Sequence, residues 1–255
     1  MRQLKNSFVI AFSMYSRIPM PKVNWTPENM RYVMCFFPFV GIVTGGAVYL
    51  VQYLFAGSVM SRPFVTAILL LIPLVITGGI HMDGYMDTVD ALSSHQPTEK
   101  KLEILKDPHA GAFAVLGAIA YYLLAYGVWY EVRLREAAVL AIGFFLSRSL
   151  SGMAVIFFSK AKNSGLAALF ASEADRRVNG ILLAIGTIAG AGAMLYLNLL
   201  LGSLCLGAAL LTFWCYRRMA VREFGGITGD LAGFFLQVCE LVMAFTVVLG
   251  GKIFL

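Results

Sequence analysis

Three aspartates dominate the chemistry legible in this 255-residue chain. Asp83, Asp87 and Asp90 lie in the segment His81-Met82-Asp83-Gly84-Tyr85-Met86-Asp87-Thr88-Val89-Asp90. In a helix, spacings of i, i+4 and i+7 place all three within roughly 60° on one face at 3.6 residues per turn. Three like charges on one face repel, so the cluster needs a cation or an aqueous cavity to compensate it. Oxygen-only ligands suit Mg²⁺, which commonly binds through a few carboxylates together with substrate phosphates. The expected chemistry is metal-assisted phosphoryl transfer, with Asp83, Asp87 and Asp90 holding the metal and Gly84 letting a ligand approach the backbone. His81 is open to use as a metal ligand, a phosphate donor or an interfacial histidine, and a hard-oxygen site suits the metal role least.

A second polar constellation precedes and enters the last apolar segment: Arg222-Glu223-Phe224-Gly225-Gly226-Ile227-Thr228-Gly229-Asp230, then Gln237 and Glu240. Asp230 reads either as the cap of a helix after a glycine turn or as a carboxylate near the metal, able to accept a hydroxyl proton. Glu240 would stand about 15 Å further along the axis, deep in an apolar span, where a carboxylate needs a partner or water. Arg148 is likewise set within an apolar run and is expected to pair with carboxylate or phosphate. Arg17, Arg222 and the Lys160-Ala161-Lys162-Asn163 stretch supply further positive charge for an anionic substrate. Arg17 and Lys162 serve equally well as plain topology signals.

The elements that must position these groups are membrane helices. The hydrophobic set makes up 59% of the residues and charged residues only 13%, against roughly 25% in a soluble domain. Spanning a bilayer takes about 20 mostly apolar residues. Apolar runs at about 32–55, 63–80, 111–130, 137–158, 180–201, 204–216 and 231–249 predict an all-α, polytopic bundle of about seven transmembrane helices. The sixth run is short, and only Gly202 and Ser203 divide it from the fifth. Fifteen of the twenty Lys and Arg residues fall in the leader and alternate loops, four on the other side, and Arg148 within a span. This bias predicts N-in, C-out topology and places the aspartate motifs on the cytoplasmic side. The scattered basic residues, net charge +6, do not form a nucleic-acid surface. The apolar run at 8–14 is too short to cross, and no removable signal peptide is evident. Cys35, Cys205, Cys215 and Cys239 sit in apolar runs without CxxC spacing, against a disulfide framework or zinc site. With no internal repeat, residues 1–255 read as one integral membrane domain.

The stretch Gly78-Gly79-Ile80-His81-Met82-Asp83-Gly84-Tyr85-Met86-Asp87-Thr88-Val89-Asp90-Ala91-Leu92 closely resembles the signature of the cobalamin synthase family, the adenosylcobinamide-GDP ribazoletransferases. Ser16 to Pro21, Asp107 to Gly111, Lys162 to Leu166 and Gly226 to Glu240 extend the resemblance over nearly the whole chain. It implies a multi-pass enzyme of the bacterial inner membrane that joins adenosylcobinamide-GDP to α-ribazole or its 5′-phosphate, releasing GMP with Mg²⁺ as cofactor. Association with other cobamide-assembly enzymes, or a homo-oligomer, is implied on the same ground. Asp83 and Asp230 then become the catalytic candidates. Arg17, His81, Arg148, Lys162, Asn163, Arg222 and Glu240 become candidates for the substrate and its phosphates. After the shared Asp-Gly, Tyr85-Met86-Asp87 departs from the CDP-alcohol phosphotransferase pattern, which disfavours a phospholipid synthase.

Two other classes compete. A UbiA-type prenyltransferase also sets Mg²⁺ on a diphosphate, but wants two Asp-rich clusters, and the second cluster here has one Asp. A transporter would line a cation path with Asp83, Arg148 and Glu240, and predicts pairing deep between helices and an inverted repeat.

Overall fold

The computed structural model describes residues 2–162 and 165–254, and among them the regular structure is helical. In chain order the helices are α1 (Arg2–Tyr15), α2 (Pro27–Met30), α3 (Val33–Leu54), α4 (Arg62–Thr77), α5 (Ile80–Ser93) and α6 (Thr98–Ile104). They continue as α7 (Ala112–Glu131), α8 (Leu134–Phe157), α9 (Leu166–Glu173), α10 (Arg176–Leu197), α11 (Leu199–Phe224) and α12 (Gly229–Phe254). Six of these, α3, α7, α8, α10, α11 and α12, are long and apolar enough to cross a bilayer, and α4 with its bent partner α5 makes a seventh. Among the described residues the predicted all-α fold is observed, with six helices long and apolar enough to span, or seven where the bent pair counts as one.

One predicted boundary is wrong. The fifth and sixth spans break at Asn198, not at Gly202-Ser203, and α11 is a full 26-residue helix rather than a short one. Asn198 has extended backbone, and its side-chain oxygen accepts from the Leu201 N–H at 2.8 Å, so it stops α10 and caps α11. Gly202 instead lets the start of α11 press on the Met194 carbonyl, where a Cβ would lie 2.5 Å away.

Helix α8 is the axis of the bundle, most of it buried, while α7 and α10 leave most of their surface facing outward, as lipid-facing helices do. Its tightest neighbour is α3. Gly41 and Gly45, one turn apart, lie against the backbone at Phe144 and Ala141, where any side chain would collide. Small residues at this spacing let two membrane helices approach closely enough for backbone packing to hold them.

The α4–α5 junction departs from a simple span. Gly78 and Gly79 both take positive φ, 65° and 83°, a conformation that disfavours side chains with a Cβ. The chain therefore leaves α4 at Thr77 and turns by 95° into α5. At the opposite end of the bundle, Arg62 donates to the Tyr130 and Val132 carbonyls, Gln52 donates to Val132, and Lys252 pairs with Glu131 at 2.7 Å. At the site end, Arg31 meets Asp175 at 2.7 Å and Lys101 meets Glu223 at 2.6 Å. The Ile227 N–H donates to the Ser159 carbonyl at 2.8 Å. The connections that carry the fifteen basic residues are thus gathered at one end.

Candidate functional site

Two glycines build the site. A Cβ on Gly84 of α5 would fall 2.6 Å from the Asp230 carbonyl oxygen, and one on Gly233 of α12 would fall 3.0 Å from the His81 carbonyl oxygen. Helices α5 and α12 therefore touch backbone to backbone at this point. Tyr85 reinforces the contact by stacking on Phe234, 5.6 Å between centroids at 8°. The consequence is that Asp83 and Asp87, one turn apart on α5, face the first turn of α12. The Asp87 carboxylate feels the charges of Asp83, Asp230 and Asp90 together. Among the described residues no lysine or arginine forms an ion pair with any of these four.

The capping alternative for Asp230 is resolved by the structure. Thr228 takes the cap position, its hydroxyl accepting from the Leu231 N–H at 3.2 Å and donating to Asp230 Oδ2 at 3.3 Å. Asp230 sits inside the first turn with its carboxylate toward a cavity. Asp90 differs from its neighbours. It faces Gly111, and its Oδ1 accepts from the Ala114 N–H at 3.3 Å, so one oxygen is engaged by the positive end of α7.

As donors for a hard cation, Asp83 and Asp87, with Asp230 facing them, fit in chemistry: oxygens only, mutually repelling and, among the described residues, in no ion pair. Among the described residues no three such groups already converge to ligand distance. That spacing is compatible with Mg²⁺, which commonly takes one or two carboxylates and completes its shell with water and substrate phosphates.

Three cavities adjoin along this end of the bundle. The first, about 240 Å³, is bounded by Tyr15, Phe37, His81, Asp83, Ser151 and Asp230. The second, about 370 Å³, shares Ala167, Gly229 and Asp230 with it and adds Lys106 and Lys162. The third, about 970 Å³, shares Lys162, Gly165 and Ala168 with the second and adds Lys160 and Arg176. Acidic and basic groups thus follow one another along one connected surface. Partial burial holds the Lys160 and Lys162 ammonium groups below the usual lysine range, helped by Arg176 and Lys106 respectively, and Asp230 opposes the shift at Lys162. Lys162 also donates to the Leu102 carbonyl at 2.8 Å.

Arg148 and Glu240, both expected at the substrate, are brought to each other instead. Arg148 Nη1 donates to Glu240 Oε1 at 2.6 Å, Ser147 donates to the same oxygen at 2.9 Å, and the side chains are 1% and 9% exposed. Neither lines the three cavities. The space beside Glu240 is about 30 Å³, room for roughly one water. Arg222 is exposed and pairs with Glu223 at 2.7 Å. Arg17 lies over the Gly78 turn, its backbone N–H donating to the Ile76 carbonyl at 2.7 Å. Asn163 lies outside the described residues. Sequence reasoning missed Ser151, Tyr15 and Lys106. Ser151 had a signal: it is a serine in an apolar span, one turn beyond Ser147.

Fold and site together define a multi-pass helical membrane protein with an acidic-to-basic cleft at one end of its bundle, suited to a polyanionic substrate. Comparison with known proteins narrows this class. The family model described as cobalamin-5-phosphate synthase matches residues 7–248. A Lachnoclostridium phytofermentans protein named adenosylcobinamide-GDP ribazoletransferase is 43% identical over 96% of this chain and 94% of its own length. Proteins of the same name from Clostridium botulinum strain Alaska E43 and Brevibacillus brevis are each 30% identical, over 96% and 95% of this chain and 98% of their own lengths. No solved structure matches. The chain belongs to the cobalamin-5-phosphate synthase family.

Proposed function

We propose that this chain is an adenosylcobinamide-GDP ribazoletransferase, joining adenosylcobinamide-GDP to α-ribazole or its 5′-phosphate and releasing GMP. The observation that carries the reading is the 43% identity with a relative of that name over 94% of its length, in a chain whose signature Asp83 lines a cavity together with Asp230. In the reaction a ribose hydroxyl attacks the cobinamide-side phosphorus. The new P–O bond forms as the bond to GMP breaks, and the hydroxyl proton leaves to a carboxylate.

Each residue's part follows from its position. Asp230, at the mouth shared by the first and second cavities, accepts the proton. Lys162 and Lys106, with the N-terminus of α12, receive the diphosphate. Asp83 and Asp87 would hold Mg²⁺, with Asp90 behind them. Bound there, the ion would supply charge neutralisation to the diphosphate, the main need of a phosphoryl transfer governed by positioning and electrostatics. Arg148 and Glu240 are structural in this reading.

The positive-inside bias supports placing this end of the bundle in the cytoplasm, N-in and C-out, in a bacterial inner membrane. A transport role is disfavoured: the deep ion pair that it predicted is present, but Arg148 and Glu240 are bound to each other beside a space of only about 30 Å³. The test is mass analysis of the corrinoid after incubation of purified protein in liposomes with both substrates and Mg²⁺. A corrinoid bearing the ribazole and an equal amount of GMP is expected. An unchanged corrinoid would overturn the reading.

A further inference from the structure

The first cavity holds two unspent polar atoms. His81 Nε2 and Ser151 Oγ are both buried, at 4% and 1% residue exposure, border the cavity, and have no hydrogen-bond partner among the described residues. Buried hydroxyl and imidazole groups are ordinarily satisfied, because leaving one unpaired forfeits hydrogen bonds that water would have made. Two such atoms on one cavity wall mark a place where a ligand makes the missing bonds.

The shape of the cavity says which ligand. At about 240 Å³ it lies below the roughly 300–1,000 Å³ typical of drug-sized ligands, so it takes one small molecule and excludes a corrin macrocycle. Its lining is divided. Tyr15 and Phe37, 4.2 Å apart, form an aromatic wall with Val155 and Leu236, and Asp83 and Asp230 form the polar rim. Tyr15 also stacks toward His81, 6.3 Å between centroids at 25°. A nucleoside has the same division: a flat aromatic base at one end and a ribose at the other.

We infer that this cavity is the acceptor pocket, with the base against Tyr15 and Phe37, Ser151 and His81 hydrogen-bonding the nucleoside, and the ribose directed to Asp83 and Asp230. The inference rests on the transferase reading and adds the location of one substrate and its specificity residues. The corrinoid then lies in the open second and third cavities, with its diphosphate at Lys106 and Lys162.

The test uses wild-type protein, Ser151→Ala and Ser151→Leu in liposomes with Mg²⁺, each substrate varied at saturation of the other. Labelled α-ribazole in equilibrium dialysis without the donor gives an independent readout. The Ser151 hydroxyl has no partner among the described residues, so Ser151→Ala removes no hydrogen bond seen there to hold the fold. It is expected to raise the nucleoside KM by about three- to tenfold, the worth of one neutral hydrogen bond, with kcat, donor KM and melting temperature within about twofold or unchanged. Ser151→Leu fills the cavity and is expected to abolish nucleoside binding in dialysis while leaving donor binding. A donor KM that rises in place of the nucleoside KM, or nucleoside binding unchanged in both variants, overturns the assignment. If Ser151→Leu does not fold, Ser151→Ala alone decides. Nucleoside binding that is lost in the leucine variant, in a wild-type protein that makes no GMP, would keep the pocket and discard the transferase reading.

Discussion

Breaking the Arg148–Glu240 pair separates a structural role from a substrate role for two residues that the sequence placed at the site. The Arg148 guanidinium is 1% exposed, and the carboxylate at 2.6 Å is its only anionic partner among the described residues. Glu240→Met leaves that cation buried and uncompensated, and Arg148→Met leaves the anion. Removing one member of a buried pair typically costs about 3–5 kcal/mol, whereas replacing both with apolar groups of similar volume is often neutral. At about 2–4 °C per kcal/mol for a chain near this size, each single variant should melt on the order of 10 °C lower, and the double variant should recover most of that. A thiol-reactive dye provides the assay, since Cys205 and Cys239 are buried and become reactive on unfolding. Activity should follow the folded fraction. Equal melting temperatures with activity lost in Arg148→Met alone would refute the argument and return Arg148 to the phosphate. So would a double variant as unstable as the two singles added together.

Gly84→Val drives side-chain atoms into the Asp230 backbone, 2.6 Å from where its Cβ must lie, so α5 and α12 separate by an ångström or more. Activity should fall about 100-fold in protein that still reaches the membrane, since misplacement on that scale can cost 10²-fold. Lys162 has its ammonium pKa lowered by burial and Lys106, so its charge is lost at a lower pH than for an ordinary lysine. As pH rises through that value the donor KM should climb, and Lys162→Arg, which keeps its charge, should move the alkaline limb upward in a pH profile of kcat/KM. Sidedness is read by labelling. In protein with the exposed Cys215 replaced, Lys100→Cys should react with an impermeant maleimide only from the cytoplasmic face, and Ser58→Cys only from the other.

Much of the fold was legible because membrane spans are written in composition. Lipid offers no hydrogen bonds, so each crossing must be a long apolar helix, and the runs beginning near residues 32, 63, 111, 137, 180 and 231 could be counted directly. The end of α10 escaped because Asn198, one polar residue among leucines, breaks the helix by capping its successor, while the more conspicuous Gly202 is a packing residue. The i, i+4, i+7 spacing gives the aspartates a common face only if the stretch is a helix, and the structure supplies that helix, α5 covering Ile80–Ser93. Nothing local said that Gly84 and Gly233 would meet, because contact between residues 149 positions apart is a tertiary fact. For the same reason the sequence showed that Arg148 and Glu240 each needed a partner but not that they would satisfy each other. Ser151 was hidden differently. A serine in an apolar helix usually bonds its own backbone, as Ser149 does to the Phe145 carbonyl at 3.0 Å, and only the structure reveals that the Ser151 hydroxyl has not done so.

The central claim is that the aspartate end of the bundle performs the transfer, and GMP release tests it most directly. Wild-type protein and Asp83→Ala, reconstituted at equal amounts in liposomes, are given adenosylcobinamide-GDP, α-ribazole and Mg²⁺, and each component is then withheld in turn. Release that requires both substrates and the metal, and that disappears in the variant, is the predicted result. Release that persists in Asp83→Ala, or that continues without Mg²⁺, would contradict it.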